Sequence, residues 1–202
     1  MAGNGGGTAT PLMLDFQLMG TPDSISRINS TFAPYLLTNI RYVVVNGAAG
    51  ASGVRSAIGA VRNGRKILVG SALSSLPPAE VKKIYNRSSE EVTLDFAELA
   101  LRVGAGGICC SVSDLDYLRE GLPEAFKSRE FTIAVYGVRP SWHPDFGTHR
   151  VVMTPREAME KGADLLIIGS PIRKAKNKRA AVRKILKEIG KDLPSDSWRR
   201  RK

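Results

Sequence analysis

Cysteine is almost absent from this chain: of 202 residues only Cys109 and Cys110 are cysteines, and they are adjacent. Neighbouring thiols cannot staple distant segments, so no disulfide framework is expected. Two buried core thiols in a reducing cytosol fit instead, and a cytoplasmic location is expected. Long apolar runs are missing as well. None approaches the roughly 18 residues of a membrane helix, and the opening MAGNGGGTATP has neither a basic n-region nor an apolar h-region, so neither a membrane partner nor a secretory signal is expected. No Gly-x-Gly-x-x-Gly follows the first apolar run, which counts against a dinucleotide fold. No cofactor and no metal is expected.

What is present is an ordinary globular composition, 43% hydrophobic and 24% charged, long enough for one domain with a sizeable core. The net charge of +11 is unevenly placed. Residues 173–202 hold 13 Lys/Arg and 3 Asp/Glu, whereas residues 1–172 hold 17 and 16. A localised cationic stretch attracts phosphates, nucleic acid or acidic surfaces; a solvated helix face with a basic tail is the plainer alternative. The chain divides into a Gly-rich, disordered segment 1–10, a domain 11–191 and a basic C-terminal tail 192–202.

Apolar runs of strand length alternate with helical periodicity throughout the domain. The strand candidates are Leu12–Phe16, Tyr42–Asn46, Lys66–Ala72, Gly107–Cys110, Phe131–Gly137 and Asp164–Gly169. Most are continuously apolar, as strands buried on both faces are. Between them, Ser88 and Glu91 form a capping box ahead of Val92, Phe96, Leu99 and Val103, which share one helical face. Thr154-Pro155-Arg156-Glu157 supplies a cap, a first-turn proline and a capping glutamate, with Gly162 as a stop. A last helix buries Ala181, Val182, Ile185, Leu186 and Ile189 and exposes Arg179, Arg183, Lys184 and Lys187. Such alternation means a parallel α/β sheet with right-handed crossovers, either a barrel or a doubly wound sheet. In both, chemistry sits at the carboxyl ends of the strands. The residues there are Asp15 and Gln17, Asn46 and Gly47, Ser71, Ser74 and Ser75, Ser111, Gly137 and Arg139, and Gly169 and Ser170. The last strand, GADLLIIGSPI, ends in Gly-Ser, which suits a phosphate cradle: glycine lets the backbone approach and amide groups hold the anion.

The order of motifs from about Leu12 to Ile189 resembles the orotidine 5′-phosphate decarboxylase family. LDFQLMGTPDS is similar to that family's third-strand motif, Leu-Asp-x-Lys-x-x-Asp-x-Pro-Asn-Thr. VVVNGAAGASGVRSA resembles the next strand and helix, and ILVGSALSSLPPAEV the strand and loop that contact the pyrimidine. GICCSVSDL, YGVRP (the family's Pro-Gly-Ile-Arg-Pro) and GTHRVVMTPREAMEKGADLLIIGSPI follow in family order. The resemblance implies a (β/α) TIM-type barrel of the ribulose-phosphate-binding kind, conversion of orotidine 5′-monophosphate (OMP) to UMP and CO₂ in pyrimidine biosynthesis, and a homodimer. It implies that Thr21, Ser24, Ser74, Gly137, Val138, Arg139, Gly169 and Ser170 bind the phosphorylated pyrimidine nucleotide, OMP or UMP, and that Asp15 belongs to the catalytic set.

The departures from the family pattern are equally specific. Gln17 stands at the position of the family's proton-donating lysine and Gly20 at that of its second aspartate. Asp15 and Gln17 are two apart on a strand, so their side chains face the same way. A lysine ammonium has a pKa near ~10.4 and is tunable as a donor; a glutamine amide hydrogen-bonds but has no comparable acidity. No counterpart of the family's first two strands precedes Leu12, and six strands are too few to close an eight-stranded barrel. Ser170 replaces the family's phosphate-gripping arginine; Gly-Ser at this place resembles ribulose-phosphate epimerase-like barrels, and Arg139, Arg173 or Lys174 would supply the charge. His149 stands near the family's phosphate-contacting glutamine. The expectation is an incomplete barrel of about six parallel strands, from a diverged or N-terminally truncated relative with a degraded catalytic motif. The alternatives are a non-catalytic phosphate- or nucleotide-binding relative and a polyanion-binding protein acting through residues 173–202.

Overall fold

The computed structural model describes residues 11–35, 39–61, 64–128, 130–143 and 151–191. Segment 1–10, tail 192–202 and His149, named above, lie outside the described residues. Along the chain the elements are β1 (Leu12–Leu18), α1 (Pro22–Tyr35), β2 (Ile40–Asn46), α2 (Gly50–Ala60), β3 (Lys66–Gly70), α3 (Pro78–Tyr85), α4 (Ser89–Val103), β4 (Gly107–Ser111), α5 (Leu115–Gly121), α6 (Pro123–Lys127), β5 (Thr132–Tyr136), α7 (Pro155–Glu160), β6 (Leu165–Leu166), α8 (Ser170–Arg173) and α9 (Lys178–Glu188).

All six strands run parallel, in the order β1-β2-β3-β4-β5-β6, so each pairs only with its neighbours in sequence. A doubly wound sheet would reverse its order partway; this one does not, and it curls into a half-barrel. The continuous apolarity of the strands follows from their having two buried faces. Val43, Val45, Val69, Ile108, Ile133 and Val135 point outward into the layer under the helices. Val44, Leu68, Cys109 and Ala134 point inward, fully buried, with Met13, Tyr42, Tyr136, Leu165 and Ile167 around them. Both thiols are thus core residues, one on each face of β4, and burial holds both well above the ordinary thiol pKa. Each such valine or leucine contributes about 1.5–3 kcal/mol on burial.

The helix signals act as the sequence implies. Ser88 Oγ accepts from Glu91 N while Glu91 Oε2 accepts from Ser88 N, closing the capping box of α4. Thr154 and Glu157 do the same for α7. Of the last helix, α9, Ala181 and Ile185 are buried and Val182, Leu186 and Ile189 half-buried; Arg179 is half-buried rather than exposed. β6 is shorter than the apolar run suggests; at its start Asp164 Oδ2 accepts the Ile133 amide at 2.8 Å while Asp164 N donates to the Ile133 carbonyl.

Candidate functional site at the carboxyl ends of the strands

The first strand departs from regular geometry where its polar residues lie. Leu14 pairs with Val43 but Leu18 with Val45, so β1 carries two extra residues between these points. Gln17 sits in this bulge with φ 46°, a left-handed conformation uncommon for a residue with a side chain. Its side chain is tied at both ends. Gln17 Nε2 donates to Asp15 Oδ1 at 3.0 Å, and Gln17 Oε1 accepts from Asn46 Nδ2 at 3.3 Å. The two side chains do share a side, as the spacing implied, but through a bulge rather than a flat strand. Asn46 closes β2 and caps the next turn through Ala48 N. Gly70, at the end of β3, lies beneath the glutamine: a Cβ there would stand 2.2 Å from Gln17 Oε1. Gly20 is exposed on the following connection.

Further round the mouth, Tyr136 reaches from the end of β5 across β4. Its hydroxyl donates to the Ala72 carbonyl at 2.9 Å and lies 3.1 Å from Ser71 Oγ, so the ring bridges to the end of β3. Burial holds the phenol well above its ordinary pKa. Beside it, Ser74, Ser111 and Ser113 line a cavity of about 150 Å³ with Glu90. Behind that cavity lies Asp114, 1% exposed, accepting from Thr93 Oγ1 at 2.7 Å and Ser113 Oγ at 2.9 Å. Its carboxyl is raised above the ordinary value of 3.8, because burial outweighs those hydrogen bonds.

The expected phosphate residues fall at the far edge of the sheet, where β5 and β6 end. Gly137 takes φ 87°, Val138 is fully buried and bridges to Met153, and Gly169 precedes α8. Pairing of Val135 with Leu166 brings the two segments side by side. Ser170 Oγ is buried and has no hydrogen-bond partner, a cost that a bound acceptor would remove. Arg139 is itself buried, 7% exposed, and donates from Nη1 to the Val138 carbonyl. Arg173 and Lys174 are exposed just beyond. Thr21 and Ser24 stand apart from both groups, at the start of α1: Thr21 Oγ1 accepts from Ser24 N and lies 2.9 Å from Ser24 Oγ, the contacts of a helix cap.

Some neighbours were not named in advance. Period-2 alternation puts Tyr136 on the inner face with Ala134, and that alternation was the available signal. Ser113 and the Thr93–Asp114 pair left none, since Thr93 lies 21 residues from Asp114.

These positions define the chain as a (β/α)-barrel protein whose polar groups gather at the carboxyl ends of its strands. The family model described as Orotidine 5′-phosphate decarboxylase / HUMPS family matches residues 28–185. This chain belongs to that family. It is 30% identical over 176 residues to the orotidine 5′-phosphate decarboxylase of Anaeromyxobacter dehalogenans, covering 87% of this chain and 74% of the relative. It is 26% identical over 193 residues to that of Paramagnetospirillum magneticum, covering 91% and 78%. Among solved structures, the orotidine 5′-phosphate decarboxylase of Lactobacillus acidophilus superposes with TM-score 0.71 at 23% identity, over 89% of this chain and 75% of the other. That likeness supports the barrel fold.

Proposed function

We propose that this chain binds a phosphorylated pyrimidine nucleotide, OMP or UMP, at the mouth of the half-barrel, and that it is a poor decarboxylase or none. Binding is supported by the names of the relatives and by the unpartnered Ser170 hydroxyl between two glycine-bearing strand ends. The observation that carries the catalytic half is the Asp15–Gln17–Asn46 chain of hydrogen bonds. The carboxylate is held by a carboxamide, and carboxamides lack the acidity to protonate a carbanion. The functional unit in this reading is residues 11–191, with Ser74, Gly137, Val138, Arg139, Gly169 and Ser170 around the nucleotide; Thr21 and Ser24 would shape the entry through the cap of α1. A homodimer belongs to the same reading and is supported by the exposed Phe16 and Met19 beside Asp15. So does a cytoplasmic location, which suits two reduced, buried thiols. Contact of residues 173–202 with polyanions is a separate property, resting on the exposed cations of α9.

The test is a calorimetric titration with UMP and with inorganic phosphate, beside a decarboxylation assay on protein from a host lacking its own enzyme. UMP and phosphate should compete. Ser170→Asp should abolish both, because it places a like charge against the anion. Undiminished phosphate binding by Ser170→Asp would put the site elsewhere. Robust turnover by the wild-type chain would overturn the catalytic half and give the donor's role to another cation, Arg139 or Lys174.

A further inference from the structure

Helix α9 presents a face that neither the fold nor the nucleotide site uses. Residues 173–191 contain nine Lys/Arg and a single acidic residue, Glu188. Ala181 and Ile185 anchor the helix, so Arg183, Lys184 and Lys187 are left on its outer side, while Lys178 lies half a revolution round the helix from Lys187. Lys178, Arg183 and Lys187 form no ion pair among the described residues. Glu188 does not neutralise them; it is half-buried and turned toward Arg156 and the Ser141 amide. Arg183 and Lys187 are one turn apart, about 6 Å along the helix axis.

A solvated helix face would need nothing more, but this one has an aromatic ring set into it. Trp142 is 36% exposed, and Lys184 Nζ stands 5.5 Å from its ring centroid. A turn closed by His143 N donating to the Pro140 carbonyl carries the indole, whose edge meets His143 with centroids 6.0 Å apart. A large apolar ring left in water beside clustered cations is what a polynucleotide strand requires: phosphates pair with the cations and a base stacks on the ring. Heparin-like polymers and lipid headgroups offer the charge without the base.

We infer that the α9 face, with Trp142 at its edge, binds single-stranded nucleic acid. The contact is electrostatic along Arg183, Lys184 and Lys187 and stacked at Trp142, independent of sequence and of the nucleotide site. Neutralising about three phosphates gives a slope of magnitude about 2 in log Kd against log salt.

The test uses the chain with residues 198–202 deleted, which leaves Trp142 as the one tryptophan of the two in the sequence. Titration with a twelve-nucleotide oligothymidylate should quench its fluorescence, with affinity falling steeply in salt. Arg183→Glu with Lys187→Glu should weaken binding at least tenfold. Trp142→Leu should weaken the oligonucleotide severalfold while leaving heparin unchanged, and saturating UMP should alter neither. Arg183→Gln with Lys187→Gln, which removes the charge but keeps polar side chains of good helix propensity, covers the case in which charge reversal unfolds the helix. Loss of binding on deleting residues 198–202 would assign the contact to the tail. Equal effects of Trp142→Leu on heparin and oligonucleotide, or charge variants that bind as before, would overturn the inference.

Discussion

At the level of the single residue, Gln17 and Asp114 are each held by hydrogen bonds to their neighbours. Gln17 is held in a left-handed bulge by Asp15 and Asn46, and Gly70 leaves room for its amide. Putting a lysine there restores an ammonium but discards the acceptor that Asn46 uses, and Gly20 still supplies no second carboxylate. Groups that act as a unit do not recover one at a time. Each missing transition-state contact commonly costs ~10²–10³ in rate, so Gln17→Lys should leave decarboxylation at or near the wild-type level; a gain beyond about tenfold in a purified assay would refute this. Asp114 makes a different prediction. Its folded-state pKa is raised, so the folded protein holds the proton more tightly than the unfolded chain does. Stability from this group is therefore full below the ordinary carboxyl value of 3.8 and falls as pH rises toward the raised value. Urea unfolding across that interval should show a downward component that Asp114→Asn lacks.

Among the elements, caps and strand faces carry the specification. Thr154 closes α7 through Glu157, whose carboxyl the Thr154 hydroxyl and amide hold below its ordinary pKa. Thr154→Ala should cost about 1 kcal/mol in denaturant unfolding, and a change of under a few tenths would mean that packing, not capping, fixes this helix. Such signals are local, which is why both capping boxes and all six strands were legible: each needs only residues three apart or a continuous apolar run. The same holds for the shared side of Asp15 and Gln17. What the sequence concealed depends on register between strands. The bulge of β1, the seat of Gln17 over Gly70 and the reach of Tyr136 to Ala72 all require knowing which residue lies beside which. The two-residue length of β6 was hidden for the same reason, as was the seat of the Asp164 carboxylate on Ile133 N.

At the scale of the whole molecule the uneven charge and the strand order matter most. The cations gather in residues 173–202, while residues 1–172 are nearly neutral. The consecutive order β1-β2-β3-β4-β5-β6 has a kinetic consequence. A closed barrel must at some stage join its first strand to its last, paying the entropy of a loop almost as long as the chain. Among the described residues every ladder joins strands separated by one connection, so none of these six pairings requires that closure. Partners in these ladders are nearer in sequence than a closing pair would be, which lets the sheet grow by accretion of one βα unit on the next. The reverse path is graded. The outer strands β1 and β6 each have one partner among the described residues, and β6 has only two paired residues, so local opening should begin at these edges. Amide exchange should be slowest at Val44, Leu68, Cys109 and Ala134 and faster at Met13 and Leu165, with exchange spreading inward as denaturant is raised; uniform protection across all six strands would show that the half-barrel opens only as a whole.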